Sequence, residues 1–408
     1  MNYRKLIILP IGLATLILFA LSTLKTGEAA TPLPDLTPTA YAYLPFVARP
    51  SAASRYPTDL YYTNQWSLER VSAPQAWAKS TGEGIVIAVL DTGADLDHPD
   101  LRSKLLTEVD RDFVNGDLTA EDDYGHGTHV AGIAAAATDN GLGIAGLGWD
   151  AEILPLKVLD DEGNGDAVAL AAAIRYAADH GADVINMSLG GPVPCGWPVK
   201  DAVDEAHSRG VTLIAAAGND LGPVEMFPAN CEHVLGVSAT NPDDTRPRYS
   251  NYGDHVSVAA PGSAIYSTLW GGSYGYGSGT SMATPHVAGL AALLMARYPS
   301  YTPGQLASAI LDNSQDLGAP GWDQFHGCGR IDAFLALTNG ALSAQPVCLQ
   351  GVGPWSEASP KTFGDAPHVP GAIIVELRPS VRASSVLSRY DAAAEFLPAL
   401  GAWHLHVS

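Results

Sequence analysis

The sequence is poor in basic residues. It contains 22 lysines and arginines against 43 aspartates and glutamates, which gives a formal net charge of −21. A surface with this balance repels the phosphates of nucleic acids and the anionic headgroups of membranes, so the charge argues against both as partners. The same excess of carboxylates favours solubility and the binding of cations.

Charged residues are also missing from a long segment near the N-terminus. Residues 6–24 carry no charge and are mostly apolar, and they lie between a basic N-terminus and the small-residue stretch 27–30. This order is typical of a secretory signal, with cleavage expected near Ala29 or Ala30. The segment is long enough to span a membrane, so an uncleaved anchor is the alternative. Either arrangement places the rest of the chain outside the cell.

Cysteine is scarce, with four residues in the chain. In an exported chain four cysteines indicate two disulfides, and the sequence alone allows three pairings. A function that depends on a free thiol is therefore not expected.

The sequence has no HExxH pattern of the kind that zinc enzymes use. His126 and His129 stand three residues apart, but no glutamate follows in the HExxH manner and no cysteine is near, so we disfavour a metal at this pair. Glycines on both sides of His126 leave its imidazole uncrowded, and the alanine-rich helix expected after it would hold the ring rigidly. We therefore treat His126 as a candidate base and expect His129 to pack inside.

A buried strand is predicted just before Asp91. The apolar run 84–90 shows no alternation, which is typical of a strand buried on both faces of a parallel sheet. Asp91 would then lie at the carboxyl edge, where open α/β sheets bind their ligands. The alternative is an aspartate that starts a turn.

Ser281 lies between a small-residue turn and an amphipathic helix. Its hydroxyl would be beside the unpaired backbone N–H groups and the positive dipole end of that helix. A developing oxyanion is stabilised in such a place. The alternative is an ordinary serine at a helix start.

Together these three segments resemble the subtilisin family of serine endopeptidases, and most closely its thermitase-like members. The order Asp91, His126, Ser281 is that of the subtilisin type and differs from the chymotrypsin and α/β-hydrolase types. The resemblance runs from about residue 59 to about residue 337. It implies that peptide bonds are hydrolysed through an acyl-enzyme on Ser281, with His126 as base and Asp91 orienting the imidazole.

The resemblance also implies an oxyanion hole. Asn219 follows the predicted strand 211–216 and matches the family's oxyanion-hole residue, which acts with the backbone N–H of the nucleophilic serine. The alternative is a turn-forming asparagine.

A substrate cleft is implied beside Asn219. One wall would be formed by residues 188–191, directly after the predicted strand 183–187, and a peptide backbone would bind to it as an added strand. The other wall would be formed by residues 216–218, directly before Asn219. The cleft residues are Ser188, Leu189, Gly190, Gly191, Ala216, Ala217 and Gly218. Small residues on both walls predict a roomy apolar pocket and broad cleavage after large apolar or aromatic residues. Asp220 at the pocket mouth would add tolerance for basic residues.

For the disulfides we favour two of the possible pairs. Cys195 is paired with Cys231, because both lie in loops beside the strands expected to hold substrate, and Cys328 is paired with Cys348.

The segment 141–146 fits the dinucleotide pattern G-x-G-x-x-G. Its glycines follow a helix instead of a buried strand and open no helix, so we reject a nucleotide site and expect no organic cofactor. In thermitase-like enzymes this loop wraps a structural calcium ion, and the alternative is a plain glycine-rich turn. By that resemblance the ligands would be Asp59, Asp100 and Asn140, with Thr138, Leu142 and Ile144 contributing backbone carbonyls.

A second calcium candidate lies in residues 112–121. Its alternating oxygen-bearing side chains suit a hard cation that takes six to eight oxygens. The candidate ligands are Asp112, Asn115, Asp117, Thr119 and Glu121. Asn115 and Glu121 depart from the residues of the thermitase-like enzymes, which leaves the affinity open, and a solvated acidic loop is the alternative.

Strand and helix patterns alternate along the middle of the chain. They predict an α/β fold with a doubly wound, mostly parallel sheet flanked by helices. Further strands are predicted at 153–159, 183–189, 234–239 and 256–259, and helices at 166–180 and 199–208.

The chain divides into five predicted parts. These are a signal or anchor (1–30), a proline-containing linker (31–57), a peptidase domain (58–342), a second linker (343–370) and a small C-terminal segment (371–408). In the last part we predict a strand at 371–377, a helix at 383–396 and a strand at 402–407. This β-α-β order resembles the first half of a subtilisin prodomain, which subtilisins usually carry before the enzyme. It would dock on the enzyme or assist folding, or it is a truncated extra domain.

These expectations favour a secreted, calcium-stabilised serine endopeptidase that is monomeric and acts on proteins or peptides. A non-catalytic peptide-binding scaffold on the same fold would have a replaced catalytic residue, and none is replaced. An autoinhibited or surface-tethered processing protease stays open.

Overall fold

The computed structural model describes residues 53–349 and three C-terminal strands at 372–375, 392–397 and 402–407. Seven strands of the described chain form the central sheet. They are β1 (Val86–Asp91), β2 (Arg111–Asp112), β3 (Glu152–Lys157), β4 (Val184–Met187), β5 (Thr212–Ala216), β6 (Val234–Thr240) and β7 (Val258–Pro261). Their order is β2-β3-β1-β4-β5-β6-β7, and every neighbouring pair is parallel.

Helices cover both faces of this sheet. They are α1 (Trp66–Arg70), α2 (Ala73–Trp77), α3 (His126–Ala135), α4 (Ala167–Asp179), α5 (Val199–Ser208), α6 (Thr280–Arg297), α7 (Pro303–Leu311) and α8 (Ala333–Asn339). Side chains of β1 alternate between two apolar cores: Ile87 and Val89 join α3 and α6, while Leu90 joins α4 and α5. The predicted doubly wound α/β fold is confirmed.

Local sequence explains where the helices begin. The carboxylate of Asp166 accepts the N–H groups of Val168 and Ala169 at 2.7 and 2.9 Å, so α4 starts at the next residue. Thr302 and Gln305 form a reciprocal capping box at the start of α7. The predicted bounds of α4 were one residue too wide at each end, and those of α5 are confirmed.

A β-hairpin that we did not predict lies beside the sheet. It consists of β8 (Ile265–Leu269) and β9 (Ser273–Gly277), paired antiparallel. Gly271 and Gly272 turn the chain between the two strands with φ of +79° and +71°, a region that glycine enters without strain.

The C-terminal strands correct one prediction. They are β10 (Ala372–Val375), β11 (Ala392–Leu397) and β12 (Ala402–Val407), which form an antiparallel sheet in the order β10-β12-β11. The predicted helix at 383–396 is wrong from residue 392 onward, because that stretch pairs along its whole length with β12 and this pairing overrides the helix propensity of its alanines. Residues 383–391 lie outside the described residues.

Both predicted disulfides are confirmed. Cys195 bonds to Cys231, and Cys328 bonds to Cys348. In the part of the chain that the structure describes, no helix is both long enough and apolar enough to cross a bilayer. The predicted signal or anchor at 1–30, linker residues 31–52 and most of the second linker lie outside that part.

Candidate active site

The candidate residues meet at the carboxyl edge of the central sheet. β1 pairs with β3 on one side and with β4 on the other, so the strand order reverses at its end. Open α/β sheets bind ligands at such a reversal. Asp91 is the last residue of β1, and Ser281 lies in the first turn of α6. His126 is the first residue of α3.

A short hydrogen bond joins the buried carboxylate to the imidazole. Asp91 Oδ1 lies 2.7 Å from His126 Nδ1, and Asp91 has no exposed surface while a quarter of the His126 side chain is exposed. The backbone N–H of Thr92 also donates to Asp91 Oδ1, at 2.8 Å. This contact engages Nδ1 and leaves Nε2 as the nitrogen for proton transfer.

Helix α3 approaches β1 closely because its second residue is a glycine. A Cβ atom on Gly127 would lie 2.0 Å from the carbonyl oxygen of Gly93 and 3.1 Å from the Cβ of Asp91. No side chain fits in that space, so glycine at this position is a condition for the short bond between Asp91 and His126.

Asp122 supports this half of the site, although no sequence pattern indicated it. It is buried and accepts hydrogen bonds from the backbone N–H groups of Tyr124, Gly125 and Thr128, at 3.0, 2.8 and 2.9 Å. The hydroxyl of Thr128 donates to it as well. Burial would raise the pKa of Asp122, but these donors outweigh it and hold the pKa below its usual range. Asp122 is therefore an ionised anchor for the loop that presents His126.

The two carboxylates also shift the pKa of His126. Burial would lower the pKa of His126, but the negative charges of Asp91 and Asp122 and the hydrogen bond to Asp91 outweigh it, and the pKa is raised. His129, by contrast, is buried without a carboxylate partner, as expected, and burial lowers its pKa to about 4.

The hydroxyl of Ser281 is bound to the opposite half of the site. It donates to the carbonyl oxygen of Ser188 at 3.1 Å, and the Ser188 hydroxyl donates to the carbonyl oxygen of Ser281 at 2.8 Å. Asn186 Nδ2 in turn donates to the Ser188 hydroxyl at 3.0 Å. The start of α6 is thus tied to the end of β4.

Asn219 is oriented by the same helix. Its side-chain oxygen accepts the backbone N–H of Thr280 at 2.9 Å and the Thr280 hydroxyl at 3.2 Å. These contacts occupy the amide oxygen and leave the Nδ2 hydrogens as donors. Asn219 and Ser281 line the same cleft.

The cleft has an empty volume of about 500 Å³. Its lining consists of Leu189, Gly190, Ala216, Gly218, Asn219, Asp220, Met226, Thr280 and Ser281. Four of the predicted cleft residues are in this set. Gly191 pairs with Phe227 through two backbone hydrogen bonds of 2.9 Å, and Ala217 is fully buried. Their place in the cleft, like that of Ser188, stays a prediction. Met226 and Thr280 are the two lining residues that we did not predict; Thr280 directly precedes Ser281, whereas no sequence pattern indicated Met226.

The predicted ligands of the first calcium site surround one loop. Asp100 Oδ1 accepts from Asn140 Nδ2 at 2.7 Å, and Asp100 Oδ2 accepts from the N–H of Ile144 at 2.8 Å. The Asn140 side-chain oxygen accepts from the N–H of Leu142 at 2.7 Å. Thr138 uses its hydroxyl within the loop, as acceptor from Gly146 N at 2.9 Å.

Two buried carboxylates at this loop suit a cation. Asp59 Oδ1 is buried and accepts no hydrogen bond. Burial and the nearby charge of Asp100 raise the pKa of Asp59 to about 6, and burial raises the pKa of Asp100. An all-oxygen set with an unpartnered buried carboxylate oxygen fits calcium, which would neutralise the excess negative charge.

The second calcium candidate is arranged differently. Asp112 Oδ1 accepts the N–H groups of Val114 and Asn115 at 2.6 and 2.8 Å, and Oδ2 accepts from Asn115 Nδ2 at 2.7 Å. Asp117 accepts from the N–H of Thr119 at 2.9 Å. Both Asp112 oxygens are therefore satisfied by their own loop.

Glu121 does not join this set. It accepts from the N–H of Leu96 at 3.4 Å and lies near Asp95 and Asp97. Within the residues that the structure describes, no group of three or more His, Cys, Asp or Glu side chains has a metal-binding arrangement, and this holds for both candidate loops. The first candidate has two such side chains, Asp59 and Asp100, and its other predicted ligands are an amide and backbone carbonyls.

The chain is similar to known proteases over the part that contains the site. Residues 82–329 match the family model described as the subtilase family. The chain is 43% identical over 285 residues to thermitase from Thermoactinomyces vulgaris, covering 69% of this chain and 99% of that protein. It is 38% identical over 272 residues to subtilisin Savinase from Lederbergia lenta, covering 66% and 97%.

Two further matches differ in extent. A cell wall-associated protease of Bacillus subtilis (strain 168) is 43% identical over 276 residues, which is 62% of this chain and 31% of that protein. A solved protease structure from Pseudoalteromonas arctica PAMC 21717 superposes with a TM-score of 0.66 at 34% identity, covering 69% of this chain and 99% of the other. The range matched by the family model contains Asp91, His126, Asn219 and Ser281.

Proposed function

This chain belongs to the subtilase family of serine proteases, and from that premise we propose that it is an exported endopeptidase that cleaves peptide bonds through an acyl-enzyme on Ser281. The observation that carries the assignment of roles is the 2.7 Å contact between the buried Asp91 carboxylate and His126 Nδ1. It presents a base with a fixed tautomer at the sheet edge where Ser281 also lies.

The proposed reaction begins when the Ser281 hydroxyl leaves the carbonyl of Ser188 and gives its proton to His126 Nε2. Ser281 Oγ bonds to the substrate carbonyl carbon, and the negative charge moves to the carbonyl oxygen. Asn219 Nδ2 and the Ser281 backbone N–H would donate to that oxygen. The imidazolium then protonates the leaving amine as the C–N bond breaks, and water repeats the sequence to release the acid.

The cleft beside Ser281 would hold the side chain that precedes the scissile bond. Gly190 and Gly218 leave room for a peptide backbone, and the lining supports our prediction of broad specificity with a preference for large apolar residues. Asp220 lies at the same cleft as an exposed carboxylate and would add tolerance for basic residues.

Calcium is proposed as a structural ion at the loop that contains Asn140. Asp59, Asp100 and Asn140 would bind it together with the carbonyls of Thr138, Leu142 and Ile144. The ion would neutralise the two buried carboxylates and fix the loop. For the loop at residues 112–121 we propose weaker binding, because its carboxylates leave no buried oxygen without a hydrogen bond, whereas Asp59 Oδ1 at the first site accepts none.

The calcium proposal predicts a difference between two matched variants. Calcium at a hundredfold excess over its Kd should stabilise the wild type by about 2.7 kcal/mol. Asp100→Asn should lose most of this gain, while Asp117→Asn in the exposed loop should keep most of it. Thermal unfolding with and without calcium measures both. An equal calcium response in the two variants would reject the assignment to Asp100.

A surface-tethered or autoinhibited processing protease is the second candidate. The uncharged segment 6–24 favours tethering, and one relative is named as cell wall-associated. Of the two possibilities, we propose that the protein is secreted as a monomer. Sequencing the N-terminus of the mature protein separates secretion from tethering: a start at residue 30 or later supports secretion, and retention of residues 6–24 supports an anchor.

Labelling with a fluorophosphonate tests the enzyme proposal directly. Wild-type protein in calcium buffer should become labelled, and Ser281→Ala should not. Ser208→Ala, at the exposed end of α5, is the matched control and should label like the wild type. Labelling that is independent of Ser281 in folded protein would defeat the proposal.

A further inference from the structure

Asn251 is a buried asparagine that contacts the loop carrying Asn219. It has no exposed surface. Its backbone N–H donates to the carbonyl oxygen of Gly218 at 2.9 Å, and its side-chain oxygen accepts the N–H of Asp220 at 2.7 Å. The residue directly before Asn219 and the residue directly after it are therefore both bonded to Asn251.

The side-chain nitrogen of Asn251 binds the same loop further along. Nδ2 donates to the carboxylate of Asp220 at 3.0 Å and to the carbonyl oxygen of Val224 at 3.2 Å. A Cβ atom on Gly218 would lie 2.4 Å from this nitrogen, so the amide is packed directly against the backbone of the loop. A buried polar side chain whose donors and acceptor are all engaged rigidifies the segments that it joins.

The segment 249–255 bonds to the loop 217–224 at three further points. These are the N–H of Leu221 to the carbonyl of Tyr249 at 3.2 Å, the N–H of Tyr252 to the carbonyl of Gly222 at 3.2 Å, and His255 Nε2 to the carbonyl of Ala217 at 3.1 Å. These bonds fix the ends of the loop, and Asn251 supplies the bonds to the two residues that flank Asn219.

The exact position of Asn219 matters because its amide has to act together with a second donor. The side-chain oxygen of Asn219 is held by Thr280. A Cβ atom on Gly279 would lie 3.6 Å from both Asn219 Nδ2 and the backbone nitrogen of Ser281, so the two donors of the proposed oxyanion hole lie near each other. Such donors have to lie about 2.7–3.1 Å from the oxyanion. A displaced Asn219 backbone would therefore stabilise the transition state less.

We propose that Asn251 is a positioning residue for the oxyanion hole, which holds Asn219 in place through the two residues beside it. This inference rests on the proposed function, because it assumes that Asn219 donates to the oxyanion. A merely structural asparagine would change the folded fraction of the protein. A positioning residue changes kcat of the enzyme that has folded.

The test is a double-mutant cycle between Asn251 and Asn219. We would measure kcat and KM of the full chain in calcium buffer on one peptide with an apolar residue before the scissile bond, per active site titrated with a fluorophosphonate. Asn251→Ala should lower kcat about 10- to 100-fold with little change in KM, since a misplacement of about 1 Å can cost about 10²-fold. In the Asn219→Ala background the same change should lower kcat by less than about twofold, because the donor that Asn251 positions is already absent.

A second variant and a matched control accompany the cycle. Asn251→Asp keeps the size of the side chain but loses its N–H donors, so we expect the same coupling to Asn219; it keeps the test usable if Asn251→Ala folds poorly. Asn313→Ala is the control. Asn313 is also buried, and its amide donates to the carbonyls of Ala309 and Gly340 at 2.8 and 3.0 Å. Its replacement should lower stability and leave kcat per active site unchanged.

Two sets of results would overturn different statements. An unchanged kcat per active site in the Asn251 variants, or equal falls in kcat with and without Asn219, would reject the positioning role, because residues that act independently have additive effects. Absence of Ser281-dependent hydrolysis in the wild type would instead reject the proposed function.

Discussion

The two halves of the active site are organised differently. On the side of β1 and α3, Asp91 and His126 already share a 2.7 Å hydrogen bond, and Asp122 anchors the loop between them. On the side of β4 and α6, the Ser281 hydroxyl donates to the carbonyl of Ser188. The first half is in the geometry that the proposed chemistry uses, and the second half has to release one hydrogen bond before it reacts.

This difference assigns separate tasks to the halves. The proton acceptor is oriented in advance, which lowers the cost of ordering it in the transition state. In the proposed reaction the Ser281 hydroxyl would leave the Ser188 carbonyl oxygen, to which it now donates, and donate to the imidazole of His126 instead. Variants on the first side should therefore act mainly on proton transfer, and variants on the second side on the stabilisation of the oxyanion.

The largest effect is expected at the orienting carboxylate. Asp91→Asn keeps the shape of the side chain but offers its amide to His126 Nδ1, which favours the wrong tautomer of the ring. We expect kcat to fall about 10⁴-fold, the magnitude typical of removing the orienting carboxylate from a Ser-His-Asp triad. Steady-state kinetics on a peptide substrate measures it. If kcat fell by less than about tenfold, the contact between Asp91 and His126 would not be needed for catalysis.

A smaller effect is expected on the second side. Asn219→Ala removes the Nδ2 donor, and we expect kcat to fall about 10²- to 10³-fold with little change in KM, because the oxyanion exists only in the transition state. Asn230→Ala is the control: its side-chain amide contacts the carbonyl of Val193 outside the cleft. A loss confined to KM would assign Asn219 to substrate binding instead.

The outline of the fold was predictable because local patterns and tertiary packing agree there. The unalternating run before Asp91 and the alanine-rich segment of α4 each point to the element that forms. The hairpin β8–β9 was missed although Gly271 and Gly272 mark its turn between two β-prone runs. The helix predicted over 392–396 failed because alanines do not distinguish a helix from a strand once a partner strand is present.

The site was predictable only in part. The structure brings Asp91 and His126 into contact and places Ser281 and Asn219 on one cleft, as their motifs suggested, and their roles stay predictions. Asp122 and Met226 could not be found in the same way. Their importance comes from backbone donors and facing walls that other segments supply, and single-sequence patterns do not contain such contacts.

The smallest expected effect separates charge from position on the first side. The pKa of His126 is raised by Asp91 and, to a lesser extent, by Asp122. The base has to be neutral, so kcat/KM should rise as pH increases through this raised pKa. Asp122→Asn removes one negative charge, so the pKa of His126 falls and the acidic limb of the profile moves to lower pH.

The same variant should also lose stability in a defined pH range. The folded-state pKa of Asp122 is lowered, so its contribution to the free energy of unfolding is present above the unfolded pKa and is lost as pH falls through the folded pKa. At neutral pH we expect Asp122→Asn to cost about 1–3 kcal/mol, the range for weakening a buried hydrogen-bonded group. Thermal or denaturant unfolding measures this cost.

A matched charge change distinguishes the local effect from a general one. Asp97→Asn removes an exposed carboxylate that does not contribute to the pKa of His126. The acidic limb of the kcat/KM profile of this variant should therefore lie at the same pH as in the wild type. Equal shifts in the two variants would mean that the overall charge of −21 controls the profile. A shift in Asp122→Asn alone would mean that the buried anchor of the first half sets the protonation of the base on which the second half depends.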